Sequence, residues 1–202
     1  MRWGAARALA PALALAAGEA RADPPVRGFR LRDFALVGGY GAAITYSVGL
    51  LRGDPFAVDV AWGRTWSAGV DLRFYQGGGE GLVARALYLE VEGCGPPASR
   101  ARGALLELGA AYRFTLAQSR SATLLGHGAV GLSGMIAEGS LGARRGVGVA
   151  SGAFVTVGAD VRVLGRVVLG VALDARYLGA TLLPHAPSWV EGVARLRAGV
   201  DF

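Results

Sequence analysis

The sequence predicts an all-β fold, an eight-stranded antiparallel up-and-down transmembrane β-barrel preceded by a cleaved signal peptide. Three observations carry this. Residues 1–22 have the layout of a secretory leader, and eight later segments alternate apolar and polar side chains with period two. No segment after the leader approaches the ~18 consecutive apolar residues of a helical membrane span.

In the leader, Arg2 and Arg7 form a positive start and Ala8 to Ala17 an alanine/leucine run, and Ala20-Arg21-Ala22 is a small-x-small cleavage site. The run is too short to cross a bilayer as a helix, which takes ~20 residues. Cleavage after Ala22 leaves Asp23, Pro24 and Pro25 at the new terminus, with no cysteine there to carry a lipid anchor. The expected organisation is therefore leader 1–22, a short periplasmic segment 23–33 and a barrel over 34–202.

The chain is 52% apolar, with 33 glycines and a single cysteine, and all 21 basic residues are arginine. Its net charge of +6 falls to +4 once the leader is gone, and the excess is scattered. A nucleic-acid footprint would cluster basic residues with stacking aromatics, so no nucleic-acid partner is expected. Cys94 has no internal disulfide partner. Two separated histidines and one cysteine do not make a metal site, and no cofactor is expected.

The alternation runs strand by strand, because successive side chains of a strand point to opposite faces. Phe34 to Leu50 places Phe34, Leu36, Tyr40 and Ile44 on one face. Phe56 to Tyr75 keeps one parity, with Trp62, Trp66, Val70, Leu72 and Phe74 against Asp71 and Arg73. In Leu82 to Glu92, Val83, Leu87, Leu89 and Val91 oppose Glu90 and Glu92, with Arg85 out of pattern. Gly103 to Leu116 sets Leu106, Leu108, Tyr112 and Phe114 against Glu107 and Arg113. Ala122 to Ile136 is blurred by glycine and alanine. Ser151 to Leu164 opposes Val155, Val157 and Val161 to Asp160 and Arg162. Val167 to Leu178 opposes Leu169, Val171 and Leu173 to Asp174 and Arg176. The terminal segment places Val190, Ala194, Leu196, Ala198, Val200 and Phe202 against Glu191, Arg195, Arg197 and Asp201.

Connections near residues 76–81, 117–121 and 165–166 are short, and those near 51–55, 93–102, 137–150 and 179–188 are mostly longer. That alternation matches periplasmic turns and outward loops. Strands of this length exceed the ~5–6 residues usual in soluble sheets and suffice for the ~9–11 that cross a bilayer. Phe34, Trp62, Trp66, Phe74, Tyr112, Phe114, Tyr177 and Phe202 sit toward strand ends on the apolar face, where aromatic girdles belong.

The run Val190–Phe202, ending in phenylalanine with apolar residues at every second position, resembles the insertion signal of bacterial outer-membrane proteins. With the leader and eight alternating segments, the mature chain resembles the small outer-membrane β-barrels of the OmpA, OmpX and OmpW type. The resemblance implies integral residence in the outer membrane. It also implies recognition of Leu196, Ala198, Val200 and Phe202 by the assembly machinery. The resemblance is to the barrel alone, so the tethering role of OmpA's peptidoglycan-binding domain is not expected here.

The polar face is expected to line the lumen, with Asp71, Glu90, Glu92, Glu107, Asp160, Asp174, Glu191 and Asp201 facing Arg73, Arg113, Arg162, Arg176, Arg195 and Arg197. Charges so confined should pair with one another, since an unpaired buried charge costs several kcal/mol. Eight strands leave an interior just wide enough for side chains to fill. Arg100, Arg102, Arg144 and Arg145 are expected in outward loops, where arginine suits lipopolysaccharide phosphates. His127 faces the lumen by parity and would need Ser133 and Glu107 to act as a base. Lipid A deacylases carry His-x-Ser on one strand, whereas Ala129 stands at that position here. His185, beside Pro184 and Pro187, belongs to a solvated loop. The expected role is therefore structural or surface-interacting, as a monomer in lipid. A narrow ion or solute channel is the alternative, and a lipid-modifying enzyme is a third.

Overall fold

The computed structural model describes residues 28–48, 58–94, 98–141, 144–179 and 188–202. The leader and His185 lie outside the described residues. Eight strands form: β1 (Arg30–Val48), β2 (Val58–Tyr75), β3 (Glu80–Gly93), β4 (Ser99–Gln118), β5 (Ala122–Leu141), β6 (Arg144–Val163), β7 (Val167–Gly179) and β8 (Ser188–Asp201). Each pairs antiparallel with its sequence neighbour, and β1 closes on β8 from Asp33↔Asp201 to Tyr46↔Ser188. The turns 76–79, 119–121 and 164–166 lie at the end that also holds both chain ends of the barrel, called here the turn end. The opposite end is the loop end.

The two faces of the wall have opposite polarity. Leu36, Tyr40, Trp62, Leu106, Leu132, Val157, Leu173 and Leu196 are exposed outward, while Asp71, Glu107, Asp160, Asp174, Glu191 and Arg197 are buried inside. A water-soluble barrel turns its apolar face inward. An apolar outside around a polar inside needs lipid as its solvent, as in transmembrane barrels. Phe34, Tyr112, Phe114 and Phe202 are exposed near the turn end, and Tyr40, Trp66, Tyr88 and Tyr177 toward the loop end.

Three sequence expectations are corrected. First, β3 faces the other way. Val83, Leu87, Leu89 and Val91 are buried inside, and Leu82, Tyr88 and Glu92 stand outside, with Glu90 on the same outward face but covered by Tyr88 and Arg100. The turn across Gly77–Gly79 pairs Asp71 with Arg85 and Trp66 with Glu90, so Arg85 shares the inward face of Asp71. A slip of one residue would flip every side chain and put the Arg85 guanidinium into lipid. Second, 137–150 is not a loop. β5 and β6 pair without interruption from Ala122↔Val163 to Leu141↔Arg144. The Gly-Val-Gly-Val stretch 146–149 looks like a loop by glycine content, yet it is period-two alternation with Val147 and Val149 outward. Third, the wall starts at Arg30 rather than Phe34. A bulge between Leu31 and Asp33 re-aims the chain so that Asp33 points inward and is buried.

The β6–β7 turn carries the one non-glycine residue with positive φ among those described, Leu164 at 52°, next to Gly165 at 71°. Leu164 is 85% exposed, so packing gains little there. Left-handed backbone disfavours leucine and tolerates asparagine. Leu164→Asn should therefore stabilise the refolded barrel by about 1 kcal/mol, seen as a higher urea midpoint. The orientation of β3 has its own check. In a Cys94→Ser background, a cysteine at Ala86 should react with a membrane-dissolved maleimide and one at Leu87 should not. The reverse pattern would return β3 to the opposite face.

Candidate functional site: a layered lumen and an outer charged collar

Every strand sends at least one polar side chain into the lumen, and most of these join one network. Asp71 accepts from Arg73 Nε at 3.1 Å and from Arg85 Nε at 3.0 Å. Arg85 Nη1 reaches Glu107 at 3.2 Å and Thr156 Oγ1 at 2.9 Å, and its guanidinium lies 5.1 Å over the Phe154 ring. Glu107 also accepts from Arg176 Nε at 2.6 Å and Ser133 Oγ at 3.3 Å. Arg176 pairs on with Glu191, which accepts from Thr65 Oγ1 at 2.7 Å. Asp174 accepts from Thr156 Oγ1 at 2.6 Å and pairs with Arg195. Arg197 joins Asp33 at 2.8 Å to Asp160, which also faces Arg73 at 3.7 Å. At the turn-end mouth, Asp201 accepts from Arg113 at 3.1 Å and Arg162 at 2.7 Å, and Arg113 stacks over Tyr75.

Glu90 and Glu92 do not belong to this set, since the reversed face of β3 puts them outside. Asp33 and Arg85 replace them. Among the described side chains, the lumen then holds seven acids (Asp33, Asp71, Glu107, Asp160, Asp174, Glu191, Asp201) and seven arginines (Arg73, Arg85, Arg113, Arg162, Arg176, Arg195, Arg197). Reversing β3 removes two acids and adds Arg85, and Asp33 from β1 completes the seven-to-seven balance. Buried charge in low dielectric tends toward pairing, and the corrected count allows it.

Toward the loop end the lumen changes character. Leu87, Leu89, Val91, Leu105, Met135, Leu178 and Trp189 form a buried apolar cluster. Sequence alternation missed this layer because β3 was assigned outward and Trp189 precedes the charged inward positions of β8.

His127 is buried in the lumen with Nδ1 3.2 Å from Asp160. Gly158 lies opposite it, and a Cβ there would stand 2.5 Å from His127 Nε2. Ser133 bonds instead to Glu107, and it stands six positions along β5 from His127, ~20 Å along the strand. The catalytic trio weighed from the sequence is not assembled. Cys94 is exposed, with its N–H donating to the Trp62 carbonyl at 2.6 Å.

The arginines expected in loops stand on strands. Arg100 and Arg102 are on the outward face of β4, and Arg145 on that of β6. The Arg144 side chain lies outside the described part. Strand register arranges the outward charges in two rows. One is Trp66–Glu90–Arg102–Glu138, and the next, nearer the loop end, is Arg64–Glu92–Arg100–Ser140–Arg145. Arg102 donates twice to Glu138, at 2.9 and 3.1 Å. Arg64 donates to Glu92 at 2.8 Å, and Arg100 pairs with Glu90 and faces Glu92 at 3.7 Å. On the remaining strands the outward residues near this end include Tyr177, Val190 and Ile44, which carry no charge. Leu196, Ala198, Val200 and Phe202 all face outward on or just past β8.

Glu107 holds Arg85, Arg176 and Ser133 together, so its loss leaves two buried guanidinium groups short of a partner. Glu107→Leu should destabilise the barrel by about 3–5 kcal/mol, measured as a lower urea midpoint, or should prevent refolding altogether.

No protein-family model and no curated protein sequence matches the chain. Solved structures do resemble it in fold. The N-terminal β-barrel domain of Pseudomonas aeruginosa OprF aligns over 86% of this chain and 100% of its own, at 14% identity and a TM-score of 0.48. Yersinia pestis Ail, in complex with the heparin analogue sucrose octasulfate, aligns over 86% and 99% at 11% identity and a TM-score of 0.45. Neisserial surface protein A aligns over 83% and 97% at 18% identity and a TM-score of 0.44. In strand number, closure and the polarity of its two faces, the fold is that of a small outer-membrane β-barrel.

Proposed function

We propose that the protein is a closed outer-membrane barrel that works at its outer surface rather than through its lumen, with lipopolysaccharide as its neighbouring lipid. The observation that carries this reading is the layering of the interior. A charge-balanced network occupies the middle, and an apolar cluster with Trp189 fully buried lies in series with it. An ion crossing such a path would have to break ion pairs worth several kcal/mol each and then pass a zone whose large side chains are apolar, with only hydroxyls such as Thr65 and Ser67 beside them. On the outside, Arg100, Arg102 and Arg145 stand where lipopolysaccharide phosphates would meet them, and arginine forks suit phosphate oxygens. Leu196, Ala198, Val200 and Phe202 would serve as the recognition strand for assembly.

Planar-bilayer conductance of the refolded mature chain tests the reading. The wild type should be silent. Because the two layers act in series, Arg195→Ala/Arg197→Ala should stay silent too, and adding Trp189→Ala should produce current. Steady, ion-selective current from the wild type would make the protein a narrow channel instead.

A further inference from the structure

The outward face of β4, β5 and β6 holds a small cleft of about 80 Å³, lined by Arg100, Arg102, Glu138, Gly139, Ser140 and Arg145. Its depth relative to lipid follows from strand register. The row Tyr88–Ala104–Ile136–Val149 is the last that is uncharged throughout, and the charged row containing Arg102 and Glu138 comes next. Trp66, 5.2 Å from Tyr88 between ring centroids, borders both rows. Such aromatic rings mark the lipid–water interface. One alternation of a strand advances ~7 Å, which puts the cleft at headgroup depth rather than in bulk water.

The charges inside it are unequally satisfied. Arg102 is committed to Glu138, and Arg100 to Glu90. Among the described residues Arg145 makes no ion pair, although it lines the same cleft as Ser140 and Arg102. Three arginines against one glutamate leave the lining with a net charge of two positive. A phosphomonoester carries about −1.5 to −2 at pH 7 and three acceptor oxygens. The cleft exceeds what one water needs.

From this placement we propose that the cleft binds the phosphomonoester headgroup of a membrane lipid in the leaflet at the loop end. Arg145 and Ser140 supply the open donors, Arg102 and Arg100 are shared, and Glu138 competes with the ligand for Arg102. This deepens the surface reading above and rests on it for the barrel's place in lipid, but not on a closed lumen.

The test is native mass spectrometry of the refolded mature chain from micelles doped with short-chain phosphatidic acid, phosphatidylglycerol or phosphatidylcholine. A parallel arm adds inorganic phosphate. The wild type should retain one phosphatidic acid, several-fold above phosphatidylglycerol and far above phosphatidylcholine. Arg145→Ala should weaken retention about tenfold, the scale of one charge-assisted hydrogen bond. Glu138→Gln should strengthen it, a direction that a merely structural ion pair would not produce. Arg120→Ala, in the turn at the far end, should leave it unchanged. Folding of each variant is checked by heat-modifiable gel mobility. Equal retention of the three lipids, or an unchanged Arg145→Ala, overturns the proposal. Inorganic phosphate competing as well as phosphatidic acid overturns the lipid source. A conducting wild type that keeps its phosphatidic acid would sink the closed-lumen reading alone, and a silent one with no lipid preference would sink this inference alone.

Discussion

Each guanidinium enclosed by the eight strands has to find a carboxylate, and that requirement constrains the barrel beyond any single hairpin. Arg85 on β3 reaches Asp71 on β2, Glu107 on β4 and Thr156 on β6, with Asp174 on β7 at 3.8 Å. One side chain thereby ties together strands that are not neighbours in the wall. Arg197 likewise joins Asp33 on β1 to Asp160 on β6. Because a strand shifted by one residue exchanges its two faces, such a shift in any of these would break pairs inside and place a charge in lipid outside. The two penalties act together, so strand parity is strongly specified even where glycine and alanine leave the hydrophobic pattern weak, as in β5.

The wall must also satisfy two solvents at different heights. Beside lipid, the outward face is apolar and the lumen carries the charge. Near the loop end of β3 to β5 the relation inverts. Leu89 and Val91 point into the lumen while Glu90 and Glu92 point out, and Leu105 and Met135 lie inside beneath the outward pairs of Arg102 with Glu138. Strand geometry makes this inversion available without any irregularity, since alternate residues can change character together. The layered lumen and the outer collar are thus two sides of one stretch of sheet. The proposed surface role and the proposed lipid site both follow from where that inversion occurs relative to the aromatic residues Trp66 and Tyr88.

Much of the wall could be read from the order of residues alone. Strand existence, number and antiparallel order follow from period-two alternation and turn spacing, and on seven strands the outward face is the one with the large apolar side chains. The lumen set was legible wherever the other face was uniformly apolar, as with Glu107, Asp160, Asp174, Glu191, Arg195 and Arg197. The failures share one cause. In β3 both faces carry apolar residues, because its inner face supplies Leu87, Leu89 and Val91 to the interior cluster. Asp33 follows a bulge that re-aims the chain. The Gly-Val repeat of β6 resembles loop composition although glycine there only occupies the inward positions. In each case the local pattern is ambiguous.

By itself, then, the sequence determined that the chain forms an eight-stranded barrel with its apolar face to lipid, because periodicity and length are local properties. Only the tertiary structure decided which way β3 faces, that Arg85 and Asp33 complete a balanced lumen, and that Arg100, Arg102 and Arg145 converge on the outer wall. Those outcomes depend on cross-strand register and on pairing charges from strands far apart in the chain, and neither quantity is present in any single segment.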